Sequence, residues 1–147
     1  MKALNIQNKR ARFEYNILDK YVAGLQLSGT EIKSIRNSKV NLSDSFCSFK
    51  ENELFIIGMH IDEYEFGNYA NHPPKRERKL LLNRYELDKI RKKIVDVGLT
   101  IIPLRLFIND KGWAKIEIAV AKGKKLYDKR NTIKNRDIQR DIDRTIK

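Results

Sequence analysis

Between residues 13 and 27 the odd positions are apolar: Phe13, Tyr15, Ile17, Tyr21, Ala23, Leu25 and Leu27, interrupted only by Asp19. A repeat of two marks one face of a β-strand and conflicts with the 3.6-residue repeat of a helix, so this stretch predicts one long strand with one face in a core. A strand of that length in a small domain curls, and Gly24 is the expected bend or bulge that lets it pass through both sheets of a barrel. This element commits the chain to a mainly β fold wrapped on itself.

The rest of the chain supplies partners. Ser28-Gly29-Thr30-Glu31 has the S-x-x-E spacing of a capping box and predicts a short helix to Arg36, with Ile32 and Ile35 toward the core and Lys33, Arg36 and Lys39 in water. Ser45-Phe46-Cys47-Ser48-Phe49 and residues 54–61 flank Lys50-Glu51-Asn52-Glu53, which predicts a hairpin with a four-residue connection and a buried Cys47 thiol. Residues 64–79 have no period. They carry Tyr64, Phe66 and Tyr69, then Pro73-Pro74, then a run of charges. Rings that stack on unpaired bases beside cations that hold phosphates suit an RNA contact; a solvated loop pinned by its aromatics is the plainer alternative.

Asn83, with Glu86 three residues on, caps a second predicted helix whose stripe is Leu87, Ile90, Ile94 and Val97, stopped by Gly98. Residues 99–108 and 113–121 flank Asn109-Asp110-Lys111-Gly112, a second hairpin. Ile102, Leu104, Leu106 and Ile108 should share one face and Ile116, Ile118 and Val120 another, with Pro103 at an edge or bulge. Five strands with the capped helix between the third and fourth is the order of an OB barrel with helices added, although an SH3-like barrel has a similar strand count. OB barrels commonly bind nucleic acids or oligosaccharides.

Charge narrows the partner. With 31 Lys/Arg against 19 Asp/Glu the net charge is +12, which favours an anionic polymer or surface. Half of it lies in residues 122–147, where ten Lys/Arg face four Asp without a proline. The chain thus divides into a barrel, 1–121, and a basic tail, 122–147, which is expected to be disordered alone and to order on a nucleic acid; a solvated basic extension is the alternative. No apolar run nears the ~18 residues of a spanning helix and no secretory h-region opens the chain, so a cytoplasmic protein without membrane partners is expected. The lone Cys47 can form no internal disulfide.

Catalysis finds no motif: there is no G-x-S-x-G, phosphate-binding loop or C-x-x-C. His60, His72 and Cys47 lack a fourth ligand and a metal-site spacing, and Asp62, Glu63 and Glu65 read as solvated. No enzyme, cofactor or metal is expected.

Six strings, in order along nearly the whole chain, resemble the SsrA-binding protein (small protein B, SmpB) family: Asn8-Lys9-Arg10-Ala11, Gly29-Thr30-Glu31-Ile32-Lys33-Ser34, Val40-Asn41-Leu42-Ser43-Asp44-Ser45, Gly58-Met59-His60-Ile61, Arg78-Lys79-Leu80-Leu81-Leu82-Asn83 and Gly123-Lys124-Lys125-Leu126-Tyr127-Asp128-Lys129-Arg130. The resemblance implies an OB-type barrel that binds the tRNA-like domain of tmRNA, stands in for its anticodon arm and acts, as a monomer, with the ribosome and the elongation factor that delivers aminoacylated RNA. It implies a tail that becomes helical in the empty mRNA channel. On the tmRNA side it suggests Lys33, Arg36, Lys39, Asn41, Arg76, Arg78, Lys79 and Asn83, the last also a helix cap. On the ribosome side it suggests Lys124, Lys125, Tyr127, Asp128, Lys129 and Arg130. Two positions depart from the family pattern: Val22 stands where Glu is common and Phe13 where His is. A generic OB-fold single-strand binder and a ribosome-associated structural protein are the rival readings.

Overall fold

A computed structural model describes residues 4–67, 71–95 and 98–123. The alternating stretch becomes a strand, Tyr15–Leu25, shorter at both ends than the pattern suggests. Phe13 lies instead in a one-turn helix, α1 (Ala11–Glu14), preceded by a short strand, β1 (Asn5–Gln7). The long strand is thus β2. It runs antiparallel to β9 (Ala114–Gly123) from Tyr15↔Gly123 to Gly24↔Lys115, then hands its last residues to β7 (Arg78–Leu81) through Gly24↔Leu81 and Leu25↔Leu80.

With β4 (Phe46–Lys50), β5 (Glu53–Ile57) and β8 (Leu99–Ile108), these strands close a ring in the order β8-β4-β5-β7-β2-β9, sealed by β8 on β9. The result is a small OB-like antiparallel barrel with six strands in the ring rather than the expected five. The addition is β7, which lies partly inside the stretch expected to be loop. Two short strands, β3 (Val40–Asn41) and β6 (His60–Ile61), pair separately.

Register slips mark where the ring bends: between Ile17 and Asp19 on β2, and between Pro103 and Arg105 on β8. Gly24 carries no register slip, so no bulge forms there, but it is the residue at which β2 passes from β9 to β7. Its lack of a side chain serves close approach instead, since a Cβ there would stand 3.2 Å from the Leu81 Cβ. The Pro103 bulge does occur, and the extra residue shifts the alternation by one. The expected stripe is therefore split. Ile102 and Leu104 pack with Ala11, Ala119 and Ala121 beneath α1, whereas Ile101 and Leu106 face the barrel core with Ile116, Ile118 and Val120. Asn8 fastens the N-terminal stretch to the bulge, its Nδ2 donating to the Pro103 carbonyl at 2.9 Å.

The β4–β5 connection has two residues, not four: Lys50 pairs with Glu53, and Glu51 and Asn52 both take left-handed φ values of 48° and 70°. Cys47 is buried in β4, and burial pushes its thiol pKa up. Helix α2 (Gly29–Arg36) starts at the predicted cap, with the Ser28 N–H donating to Glu31 Oε1 at 2.9 Å. Ile35 enters the core but Ile32 is only half-buried. Helix α3 (Arg84–Lys93) is capped by Asn83, whose Oδ1 accepts the Glu86 N–H at 2.8 Å; Leu87 and Ile90 are buried, and Val97 lies outside the described residues. No described helix is long and apolar enough to cross a membrane.

Candidate nucleic-acid interface

Helix α2 has two sides with opposite uses of charge. On the inner side Glu31 is completely buried, and its carboxylate takes Arg76 Nη2 at 2.6 Å, Arg78 Nε and the Ser28 N–H. Burial works to raise the Glu31 pKa, but the hydrogen bonds from Arg76, Ser28 and Arg78, with the Arg78 charge, outweigh it and hold the carboxyl at about 2 against an ordinary 4.5. Arg78 is also fully buried. Its Nη1 donates to the carbonyls of Met59 (2.9 Å) and Arg76 (2.8 Å), and its Nη2 to that of Pro74 (3.1 Å). One guanidinium therefore clamps the Pro-containing loop, the stretch before β6 and α2 together.

On the outer side Lys33 and Arg36, and Lys39 just past the helix end, are exposed and have no ion-pair partner among the described residues. Lys33 Nζ stands 5.3 Å from the Tyr64 ring centroid, and Tyr64 meets Phe66 edge-on at 5.6 Å, with Phe66 73% exposed. The loop bearing these rings is pinned: Asn71 bridges both backbone groups of Tyr64 (2.9 and 2.7 Å). Buried His72 sits between Thr30 Oγ1 (2.9 Å) and the Ile61 carbonyl (3.0 Å). Because that carbonyl only accepts, His72 Nε2 donates to it. The two readings of residues 64–79 thus combine: a pinned loop that still presents an aromatic–cationic surface beside α2. Tyr69 lies outside the described residues.

The sequence-based candidates scatter by role. Lys33 and Arg36 are exposed on α2, and Lys39 is exposed just beyond its C-terminal end. Asn41 is exposed at the β3–β6 ladder, its Oδ1 accepting the Ser43 N–H at 2.8 Å. Arg78 does not belong on an RNA-facing surface: with no exposed area and its donors spent inside, it cannot meet a phosphate. Arg76, at 38% side-chain exposure, is drawn to Glu31 and the Gln26 carbonyl. Lys79 is half-buried and pairs with Glu53 at 3.7 Å, and Asn83 is exposed while serving as the α3 cap. Lys124, Lys125, Tyr127, Asp128, Lys129 and Arg130 lie outside the described residues, which end on β9 at Gly123. The sequence reading missed Trp113 as a surface feature: taken as the first residue of a strand, it precedes β9 and is 67% exposed near Arg36.

A closed basic antiparallel barrel with an unpaired cationic helix face and rings beside it is a nucleic-acid-binding barrel of OB type. The family model described as SmpB protein matches residues 5–147, and the chain belongs to that family. It is 60% identical over 144 residues to the SsrA-binding protein of Flavobacterium psychrophilum, covering 98% of this chain and 96% of that protein. It is 54% identical to that of Bacteroides thetaiotaomicron, covering 99% and 97%. Among solved structures it is similar, with a TM-score of 0.71 and 44% identity over 84% of this chain and 87% of the other, to one described as "tmRNA-SmpB: a journey to the center of the bacterial ribosome".

Proposed function

We propose that this protein binds tmRNA, the SsrA RNA, in trans-translation, gripping its tRNA-like domain in place of an anticodon arm and bringing it to stalled ribosomes. Near full-length identity with proteins named for binding SsrA carries the reading. The geometry supports a division of labour. The α2 face lies by the start of β9, where Trp113 and Ala114 adjoin Ile32 and Arg36, whereas residues 124–147 follow the other end of β9. Between that face and Gly123, where the described residues end, the ten residues of β9 span at most about 30 Å. Lys33, Arg36 and Lys39, with Asn41 and the Tyr64–Phe66 loop, serve the tmRNA; the basic tail probes the empty mRNA channel. Delivery with the elongation factor that carries aminoacylated RNA, as a monomer, completes the proposal.

The test is a gel-shift titration of the full chain against tmRNA with an unstructured RNA of equal length as competitor. Preference for tmRNA is expected; equal binding would leave a nonspecific single-strand binder. Truncation after Gly123, which keeps the β2–β9 pairing intact, should preserve tmRNA binding and abolish the step that trans-translation leads to, addition of a degradation tag to the unfinished peptide.

A further inference from the structure

The chain has a single tryptophan, and the β8–β9 turn fixes its backbone while its ring is exposed to water. Asn109 Oδ1 accepts the N–H groups of Lys111 (3.1 Å) and Trp113 (2.9 Å), the Asn109 N–H donates to the Trp113 carbonyl at 2.9 Å, and Gly112 between them takes φ +85°. Trp113 lines a groove of about 270 Å³ with Leu25, Leu27, Ile32, Ala114 and the exposed Arg36. Arg36 is the one charged side chain among the lining residues, and no carboxylate is among them. Three separate elements build it: the end of β2, the outer face of α2 and the β8–β9 turn.

We infer that this groove is a nucleobase-stacking site, in which one unpaired RNA base lies against Trp113 and the leucine–isoleucine floor while Arg36 holds the adjoining phosphate. An exposed indole beside an apolar floor offers a flat base two surfaces, and stacking of this kind tolerates any base. The cation supplies the phosphate contact, and the net charge of +12 favours a polyanion over a basic or neutral peptide as occupant. The inference rests on the barrel's being an RNA binder but not on which RNA it binds.

Because Trp113 is the sole tryptophan, its emission reports on the groove directly. The full chain is titrated with oligoadenylate, with a ribose-phosphate strand of equal length lacking bases, and with tmRNA. Oligoadenylate and tmRNA should quench Trp113, while the abasic strand should leave its emission unchanged. Trp113→Ala should weaken oligoadenylate binding about fivefold to a hundredfold, the loss of one stacked base. Trp113→Phe should retain most of the affinity, and Arg36→Gln should lose less than Trp113→Ala. Unquenched emission with tmRNA still shifting on a gel would overturn the stacking site and leave the tmRNA reading standing; absence of any tmRNA shift would remove that reading itself. Quenching by an apolar peptide but by no RNA would make the groove a protein-docking surface and overturn the inference.

Discussion

The cations in and around α2 and those of β7 and the start of α3 are the same residue types put to opposite ends. Lys33, Arg36 and Lys39 face water with no carboxylate partner among the described residues, whereas Arg76 and Arg78 meet Glu31, and Lys79 and Arg84 meet Glu53. A cation already matched by a carboxylate contributes little field beyond its own pair, and one buried with its partner contributes none that a ligand can reach. Net charge therefore fixes the sign of the partner, while pairing and burial decide which surface receives it. The inner side of the helix builds the platform that the outer side uses.

The strongest way to break this contrast is Glu31→Ala. Arg78 would be left charged and buried without its counter-ion, and removing one partner of a buried pair costs about 3–5 kcal/mol. Urea unfolding at neutral pH should show a loss of that size, together with loosening of the loop at Pro73, Pro74 and Arg76, whose carbonyls Arg78 holds. A loss below about 1 kcal/mol would mean that Glu31 is merely a helix cap, the role its sequence spacing alone suggests.

Acid should attack the same point. The Glu31 carboxyl titrates at about 2 in the folded chain against an ordinary 4.5, so the unfolded chain takes up the proton first and stability falls as the pH drops. The contribution is complete above about pH 5.5, declines through the window down to about pH 2 and amounts to on the order of 3 kcal/mol. Unfolding midpoints measured across that window for the parent chain and Glu31→Gln should converge as the pH falls. Parallel curves would remove Glu31 from the acid response.

Glu31 and Arg78 also show where sequence reading stops. Regular elements were readable because their signals are local: the bounds of β8, the Asn83 cap and the start of α2 at Ser28 each follow from a pattern within a few residues. Arg78 was not, because a run of charges hides its alternation. Arg78 and Leu80 point inward while Glu77 and Leu81 point out, which is strand period, but hydrophobicity cannot display it where the inward residue is an arginine. What makes that burial possible is a carboxylate 47 positions away, invisible to any local rule. The N-terminal strand was missed for a related reason: three residues are too few to show a period, and only pairing with Phe107, Leu106 and Arg105 makes them a strand. The stripe on β8 failed because one bulge reverses every face beyond it.

On the outer side the contrast sharpens through salt. Replacing Lys33, Arg36 and Lys39 together by Gln removes up to three phosphate contacts, which should reduce the slope of log affinity against log salt by about two. Between about 50 and 200 mM salt the parent chain should therefore lose roughly twentyfold more tmRNA affinity than the variant. Lys79→Gln, which deletes a cation already paired with Glu53, should change the slope by well under one. Equal slope changes per residue on both sides would erase the distinction between paired and unpaired cations.

Asn83 gives the finest test, because it sits on the boundary between the two roles. As the α3 cap it accepts the Glu86 N–H at 2.8 Å, yet it is exposed and available to an RNA. Asn83→Ala should lower stability by about 1 kcal/mol through loss of the cap, and Asn83→Ser should restore most of it, since a serine oxygen caps nearly as well. The pair of variants separates the roles: serine keeps the cap but removes the amide that could read a base or a phosphate. If Asn83 is structural, the serine variant should bind tmRNA as the parent does in the same gel-shift assay. If serine restores stability while tmRNA affinity stays as low as in the alanine variant, the amide itself touches RNA, and the interface extends past the paired cations of β7 to the start of α3.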